Sequence, residues 1–299
     1  MLRQYRIRDY DFKLIILVVS LTVIGIFAIG SAQESSQHRQ IAGFVLGFFV
    51  MVVLSLFDYS IILRFYWLMY ILNLVLLELV RELGVERGGA QRWLNIFGIQ
   101  FQPSETAKIL LLLFFAQLIM KHKDEMGSIK MVGLCVLLFI PPIALIYKQP
   151  DLSTSIMVII LFCVILFIGG ISWKYIIMAV AVAVPTFIIL LTLILQPDQD
   201  IIEDFQQRRI FAFLYPDEYA STEAYQQNNS VIAIGSGMLY GKGYKNNEFS
   251  SVKSGNFISE PQTDFIYAVI GEEFGFVGGC AVIVLLILIS FECIMVARR

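Results

Sequence analysis

Long apolar runs separated by short polar segments are the dominant pattern of this 299-residue chain. A bilayer core about 30 Å thick requires roughly 17–25 apolar residues per helix, and several runs reach that length. The pattern predicts eight transmembrane helices, over residues 14–32, 41–57, 65–80, 105–120, 131–147, 154–171, 175–195 and 276–296. We therefore predict an all-α polytopic membrane protein, a helical bundle that forms one integral membrane domain over residues 1–299.

The positions of lysine and arginine between these spans predict the orientation of the chain. One side of the predicted bundle carries Arg3, Arg6, Arg8, Lys13, Arg64, Lys121, Lys123, Lys130, Lys174, Arg298 and Arg299. The short loops on the opposite side carry fewer, namely Arg39, Arg81, Arg87, Arg92 and Lys148. Because cytoplasmic loops are enriched in these residues, both termini are predicted to be cytoplasmic. Residues 81–104 and a large loop over 197–262 then face the outside.

The large extracytoplasmic loop is not uniformly polar. It begins with acidic residues and continues into a half-apolar stretch over residues 208–214. A flexible linker is usually more evenly polar, so the apolar part predicts that the loop packs onto the outer mouth of the bundle. A mobile loop is the alternative.

The last apolar segment is too long for a single straight span. An unbroken helix over residues 264–296 would be about 50 Å long at 1.5 Å per residue. Gly275, Gly278 and Gly279 offer a break, so we predict a short interfacial helix over 264–273 followed by the span. This places Asp264, Glu272 and Glu273 at the outer rim of the membrane.

Composition and charge exclude several classes of protein. Hydrophobic residues make up 58% of the chain and charged residues 15%, with a net charge of −2. This leaves no basic surplus for a nucleic-acid backbone, so no nucleic-acid partner is expected. The four cysteines have no CxxC spacing and the two histidines are far apart in sequence, which argues against a zinc site or a disulfide framework.

Polar residues stand out at the start of the fourth predicted span. Pro103-Ser104 before an apolar run predicts a helix start, with Ser104 as the N-cap and Glu105 in the first turn. Lys108 follows Glu105 by three residues, on the same helix face, so the two side chains can pair. Such a pair is either a structural anchor or part of the wall of a ligand cavity.

Two further polar segments have simple local interpretations. Gln149-Pro150-Asp151 reads as a turn that caps the following helix. The stretch from Gly237 to Lys242 superficially resembles a phosphate-binding P-loop, but its spacing is one residue short and Gly243 replaces the hydroxyl residue. We reject the P-loop interpretation and assign these glycines to tight turns.

Taken together, these segments resemble the SEDS family of shape, elongation, division and sporulation proteins, which includes RodA, FtsW and SpoVE. The resemblance covers nearly the whole chain, leans towards the RodA branch, and rests on six motifs in the family order. These are residues 89–93 (Gly-Ala-Gln-Arg-Trp), 102–108 (Gln-Pro-Ser-Glu-Thr-Ala-Lys), 149–151 (Gln-Pro-Asp), 233–237 (Ala-Ile-Gly-Ser-Gly), 241–243 (Gly-Lys-Gly) and 263–273 (Thr-Asp-Phe-Ile-Tyr-Ala-Val-Ile-Gly-Glu-Glu).

The resemblance implies a peptidoglycan glycosyltransferase of the bacterial cytoplasmic membrane. Such enzymes polymerise lipid II, a disaccharide-peptide on undecaprenyl diphosphate, at the outer membrane face, together with a class B penicillin-binding protein and membrane lipid. By resemblance, Asp264 matches the essential aspartate, Glu105 and Lys108 match a cavity pair, and Trp93 matches an outer-loop tryptophan. The other candidate substrate or cavity residues are Arg92, Gln149, Asp151, Lys242 and Glu260.

Elementary chemistry fits these roles. A sugar hydroxyl is a poor nucleophile until a base removes its proton, so Asp264 is predicted to be the general base. The diphosphate leaving group needs charge neutralisation rather than a proton, so one catalytic carboxylate suffices. We also predict that the anomeric configuration is inverted in the product linkage. The candidates for neutralising the diphosphate charge are a divalent cation such as Mg²⁺ or Mn²⁺, or the side chains of Arg92, Lys108, Arg208, Arg209 and Lys242. No other cofactor is predicted. Without the resemblance, Asp264 reads as a helix N-cap.

Two departures and two alternatives accompany the resemblance. Ser259 occupies the position of a usual proline, and the family typically has ten helices, so the eight helices predicted here are expected to lack the family's last two. A transporter that flips the lipid-linked precursor is one alternative, although the middles of the spans lack charges. A non-catalytic scaffold for a penicillin-binding protein is the other.

Overall fold

A helix occurs at each of the eight predicted spans, which confirms the prediction of a polytopic helical protein. The computed structural model describes residues 10–87, 90–96, 99–149, 151–196, 202, 204–222, 224–245, 251 and 257–298. Its helices are α1 (Phe12–Ala32), α2 (Glu34–Ser55), α3 (Tyr59–Arg64), α4 (Tyr66–Leu83), α5 (Pro103–Lys121), α6 (Ile129–Tyr147), α7 (Leu152–Ile168), α8 (Trp173–Ile194), α9 (Asp204–Leu214), α10 (Tyr225–Ser236) and α11 (Ile266–Ala297).

Six of the helices in the described part of the chain are long and apolar enough to cross a membrane: α1, α2, α5, α6, α8 and α11. The apolar helix α7 is shorter, with 17 residues. Helix α4 carries Glu78 and Arg81 near its end, where they form an ion pair of 2.9 Å. Helix α2 begins at Glu34 rather than at residue 41, because its first turns are polar yet still helical.

Three short antiparallel strands lie between α4 and α5 and were not predicted from the sequence. They are β1 (Val85–Arg87), β2 (Ala90–Ile96) and β3 (Ile99–Phe101), in the order β1-β2-β3. Trp93 pairs with Val85 and Leu94 pairs with Phe101. The central strand β2 packs against both α4 and α5. The sheet therefore holds the Arg92-Trp93 motif close to the start of α5.

The chain forms two compact units, with one boundary just after α2 and the other within α8. The terminal unit comprises residues 1–56 and 190–299, and the central unit comprises residues 57–189. The prediction of a single domain over residues 1–299 stays a prediction.

The core of the central unit is aromatic. The rings of Phe139 and Phe162 stack with their centroids 4.0 Å apart, and Phe115 meets Phe162 edge-on at 4.9 Å. Tyr70 stacks on Phe114 at 4.6 Å. Aromatic pairs at these distances add to the energy of burial. They join α4, α5, α6 and α7 into one packed body.

Helix α6 continues through Pro141 and Pro142. Proline has no N–H, so Pro142 deprives the carbonyl of Leu138 of its usual donor four residues later. The Tyr70 hydroxyl on α4 donates to that carbonyl at 2.8 Å. The helix is therefore preserved because a neighbouring side chain satisfies the exposed carbonyl group.

In the terminal unit, α11 packs against α1 and α10. The predicted break in this helix is confirmed at Gly275, which has φ 64° and ψ −161°. Most L-residues avoid such a conformation, so the position requires glycine. Helix α10 of the large loop packs on α11, with Ala233 in one cluster with Ile258 and Ala268; packing of the whole loop onto the outer mouth of the bundle stays a prediction.

Candidate functional site

Asp264 lies in a turn that leads directly into α11. The residue at the N-cap of α11 is Phe265, and no side chain caps the helix. The Asp264 side chain is exposed and makes no hydrogen bond or ion pair among the described residues. The alternative role of Asp264 as an N-cap is therefore wrong. Its carboxylate is accessible to a partner molecule.

Hydrogen bonds stabilise the part of the turn that precedes Asp264. Glu260 has a positive φ of 55°, and its carbonyl oxygen accepts hydrogen bonds from the backbone N–H and the hydroxyl of Thr263, both at 3.2 Å. The Asn229 amide on α10 donates to the carbonyl of Phe257 at 3.2 Å. These bonds fix the approach of the chain to Asp264. The Glu260 side chain is exposed, and its carboxylate accepts a hydrogen bond from the side-chain amide of Gln262 within the same turn.

Glu105 and Lys108 form the predicted ion pair on the first two turns of α5, with 2.7 Å between Oε2 and Nζ. Glu105 is more exposed than Lys108, at 56% against 25% of the side chain. The predicted N-cap at Ser104 is wrong by two residues. The cap is Gln102, because Pro103 occupies the first helical position, where its missing N–H costs nothing.

Gln149 and Asp151 form a buried polar connection in the central unit. The side-chain amide of Gln149 donates to the Leu77 carbonyl on α4 at 3.1 Å, and the backbone carbonyl of Gln149 accepts from Arg92 Nε at 3.3 Å. The predicted cap is confirmed: Asp151 accepts from the backbone N–H of Thr154 at 3.1 Å and from its hydroxyl at 2.9 Å.

The same network of hydrogen bonds includes residues at the start of α5. The Gln102 amide donates to Asp151 Oδ2 at 3.4 Å and to the Ser104 hydroxyl at 3.0 Å. Hydrogen bonds of Gln149 and Asp151 thus connect the strand with Arg92 and the start of the Glu105–Lys108 helix within the central unit. Gln149 and Asp151 are both under 5% exposed, so they support this arrangement from inside.

Lys242 in the terminal unit pairs with a residue that was not among the predicted site residues. Its Nζ lies 2.9 Å from Oε1 of Glu272, which is 3% exposed, whereas the Lys242 side chain is 21% exposed. The Ser251 hydroxyl also donates to Glu272, at 3.2 Å. Next to it, the buried Glu273 accepts from the Ser31 hydroxyl on α1. The signal in the sequence was two adjacent glutamates just before a glycine break in an apolar helix.

Metal-binding arrangements are absent from the described residues, where no group of three or more His, Cys, Asp or Glu side chains is placed to hold an ion. The divalent cation considered above therefore stays a prediction. The mechanism proposed below uses protein groups alone.

Apolar spans, an aromatic helical core and polar clusters at helix ends define a polytopic helical membrane protein. The sequence model of the FtsW/RodA/SpoVE family, described as cell cycle proteins, matches residues 11–299. The chain therefore belongs to this family, which confirms the resemblance inferred from its motifs. It is a bacterial membrane protein.

Similar proteins include named enzymes. Peptidoglycan glycosyltransferase MrdB of Escherichia coli K12 is 34% identical over 293 residues, which cover 97% of this chain and 76% of that protein. Probable peptidoglycan glycosyltransferase FtsW of Wigglesworthia glossinidia brevipalpis is 27% identical, with the same coverage of both chains.

Solved structures share the fold. A chain from a study described as "Structural coordination of polymerization and crosslinking by a peptidoglycan synthase complex" matches with a TM-score of 0.73 and 25% identity, covering 95% of this chain and 77% of that one. The rod shape determining protein RodA of Thermus thermophilus matches with a TM-score of 0.62 and 24% identity, covering 95% and 74%. The RodA match supports the fold alone.

Proposed function

We propose that this protein is a peptidoglycan glycosyltransferase that polymerises lipid II at the outer face of the cytoplasmic membrane. The activity is supported by similarity to named glycosyltransferases along 97% of the chain. The assignment of Asp264 as general base rests on one observation: its carboxylate is exposed and has no partner among the described residues. A base must have its proton-accepting oxygen free to meet the substrate.

The proposed reaction is an inverting displacement at the anomeric carbon of the donor sugar. Asp264 takes the proton of the acceptor hydroxyl as the hydroxyl oxygen forms a bond to the anomeric carbon. The bond from that carbon to the diphosphate oxygen breaks on the opposite face, and the diphosphate departs with the electron pair. Asp264 releases this proton to water before the next cycle begins. A single carboxylate is enough because the leaving group is already a stable anion.

Cations from the chain neutralise the charge that develops on the diphosphate. Arg92 and Lys108 are the candidates in the central unit, and Arg208 and Arg209 on the exposed face of α9 are the candidates in the terminal unit. Lys108 is held by Glu105 at 2.7 Å, so its ammonium group has a defined position before substrate arrives. Trp93 on the neighbouring strand offers an aromatic surface for a sugar ring.

A class B penicillin-binding protein is the proposed partner. Support comes from the similarity to a chain in a peptidoglycan synthase complex that polymerises and crosslinks. Crosslinking needs a transpeptidase beside the polymerase, and a shared complex would deliver new strands directly to it.

Purified protein given labelled lipid II, alone and with a class B penicillin-binding protein, tests this function. We expect glycan strands from the unaltered protein and a fall of roughly 10²–10⁴-fold in rate for Asp264→Ala, the usual contribution of a general base. Asp217→Ala is the matched control, because Asp217 is an exposed aspartate of the same loop.

Other outcomes identify the alternatives. Strands that persist at the normal rate in Asp264→Ala would remove Asp264 from the reaction. Movement of lipid II across vesicles without polymer would indicate a transporter. Binding of the penicillin-binding protein without either activity would indicate a scaffold.

A further inference from the structure

Residues 237–243, here called the clasp, join the two halves of α11 across its break. Carbonyl groups that lose their helical donors at the break find new ones in the clasp: Lys242 N–H donates to the Glu272 carbonyl at 2.9 Å, and Gly243 N–H donates to the Glu273 carbonyl at 3.0 Å. On the other side of the break, Phe276 N–H donates to the Met238 carbonyl at 2.8 Å. Val277 N–H donates to the Leu239 carbonyl at 3.2 Å. The clasp thus completes the backbone hydrogen bonding of the broken helix.

The approach of the clasp is so close that it depends on glycine. A Cβ atom at Gly241 would overlap the carbonyl group of Glu273, and one at Gly237 would overlap the carbonyl oxygen of Gly271. A Cβ at Gly275 would overlap the backbone of the clasp. The backbone of the clasp is in direct contact with the backbone of α11. A displacement of the clasp therefore also displaces the half of α11 that precedes Gly275.

The ion pair between Lys242 and Glu272 lies inside this contact. A carboxylate that is 3% exposed needs a counter-charge, and Lys242 supplies it at 2.9 Å. The backbone N–H groups of Lys242 and Gly243 are used in the clasp, so they do not form an anion cradle. The structure therefore places Lys242 in an ion pair with a buried glutamate, which its position in a glycine-rich motif did not predict.

The half of α11 that precedes Gly275 connects the Lys242–Glu272 pair to Asp264. Phe265, next to Asp264, packs on the cluster of Ala233, Ile258 and Ala268, which belongs to α10, the turn before Asp264 and the first turn of α11. Glu272 lies two turns further along the same helix, where the clasp holds it. Asp264 therefore lies at one end of a short segment whose other end is held by the clasp and by the Lys242–Glu272 pair.

We propose that Lys242 and Glu272 are a positioning pair for Asp264, and that Lys242 does not bind the diphosphate of the substrate. This inference rests on the proposed function of Asp264 as the base. A misplacement of about 1 Å can cost on the order of a hundredfold in rate, so a pair remote from the reacting atoms can control it.

A double-mutant cycle separates positioning from substrate binding. The variants are Lys242→Met, Glu272→Gln and the combination of both, in the full chain. The matched control is Lys245→Met, because Lys245 lies in the same loop and pairs at 3.5 Å with Glu34, both half-exposed or more. Two quantities are measured: the kcat and KM of glycan synthesis from labelled lipid II, and hydrogen–deuterium exchange of the backbone amides in residues 257–270.

Removing one partner of a buried ion pair takes away the main counter-charge of the other, whereas removing both charges avoids that cost. We expect Lys242→Met to lower kcat by on the order of tenfold or more with KM changed less than about threefold, and to raise amide exchange in 257–270. The double variant should regain most of the lost kcat and the protection, and Lys245→Met should match the unaltered protein in both.

Two results would overturn the proposal. If the double variant is as slow as Lys242→Met and exchange stays normal, Lys242 acts on the substrate directly. If exchange in 257–270 is unchanged in Lys242→Met, the pair does not hold the Asp264 turn, whether or not the protein polymerises lipid II. Failure of the proposed function is seen separately, as polymer formation that is insensitive to Asp264→Ala.

Discussion

Asp151 and Asp264 look alike in the sequence, since each is an aspartate just before an apolar helix. Folding separates their roles. Asp151 is 4% exposed and caps α7 through Thr154, whereas Asp264 is exposed and Phe265 takes the cap position of α11. Pattern alone predicts that an aspartate can cap a helix, but not which residue the chain places at the cap.

A stability comparison tests this division at the residue scale. Asp151→Ala removes a buried cap and should lower the free energy of unfolding by about 1–2 kcal/mol. Asp264→Ala removes an exposed, unpartnered carboxylate and should change it by less than about 0.5 kcal/mol. Thermal unfolding of the purified variants in detergent measures both. A large loss in Asp264→Ala would mean that its carboxylate has a structural partner.

The Glu105–Lys108 pair shows how much a spacing can establish. Three residues on a helix place two side chains on one face, and the 2.7 Å distance follows from that rule. The Lys242–Glu272 pair, by contrast, joins residues 30 positions apart, which no local rule can find. Local contacts were thus predictable from the sequence, and contacts made by folding were not.

At the scale of elements, the helices were predicted well because membrane spans carry a strong apolar signal. The three-stranded sheet was missed because its strands have only three, seven and three residues, too few for a clear alternating pattern. The break in α11 was predicted from length and glycine content. Its completion by the clasp was not, because that contact involves backbone atoms that carry no sequence pattern.

Two glycines of the clasp provide a matched test of this contact. Gly241 and Gly243 both have a positive φ, of 81° and 98°, but only Gly241 has backbone atoms where a Cβ would lie. Gly243→Ala should therefore cost only its backbone strain, about 1–2 kcal/mol. Gly241→Ala adds the overlap with Glu273 and should cost about 1–3 kcal/mol more.

Unfolding of the two variants, followed together with exchange in residues 266–275, measures the difference. Equal losses for both variants would show that the clasp can move away from α11 without cost. A larger loss for Gly241→Ala locates the cost at the contact itself.

At the scale of the whole molecule, the orientation of the chain is still a prediction from its lysines and arginines. The proposed function depends on it, because the large loop and the Asp264 turn must face the side where lipid II is polymerised. Single cysteines introduced at Asp217 and Asp124, in a chain whose four native cysteines are replaced, test the orientation. Both positions are exposed, one in the large loop and one in the connection between α5 and α6.

A membrane-impermeant maleimide applied to spheroplasts should label the Asp217→Cys variant at once. The Asp124→Cys variant should react only after the membrane is permeabilised. The reverse order would place the large loop in the cytoplasm and would exclude an outer-face polymerase.

The completion of α11 by the clasp also has a consequence for biogenesis. The half of α11 after Gly275 is an apolar segment that can enter the bilayer unaided as soon as it leaves the translocon. The half before Gly275 ends in carbonyl groups that have no donors until residues 237–243 arrive. We therefore expect the span formed by α11 to enter the bilayer before the contact with residues 237–243 forms and positions the proposed catalytic carboxylate of Asp264.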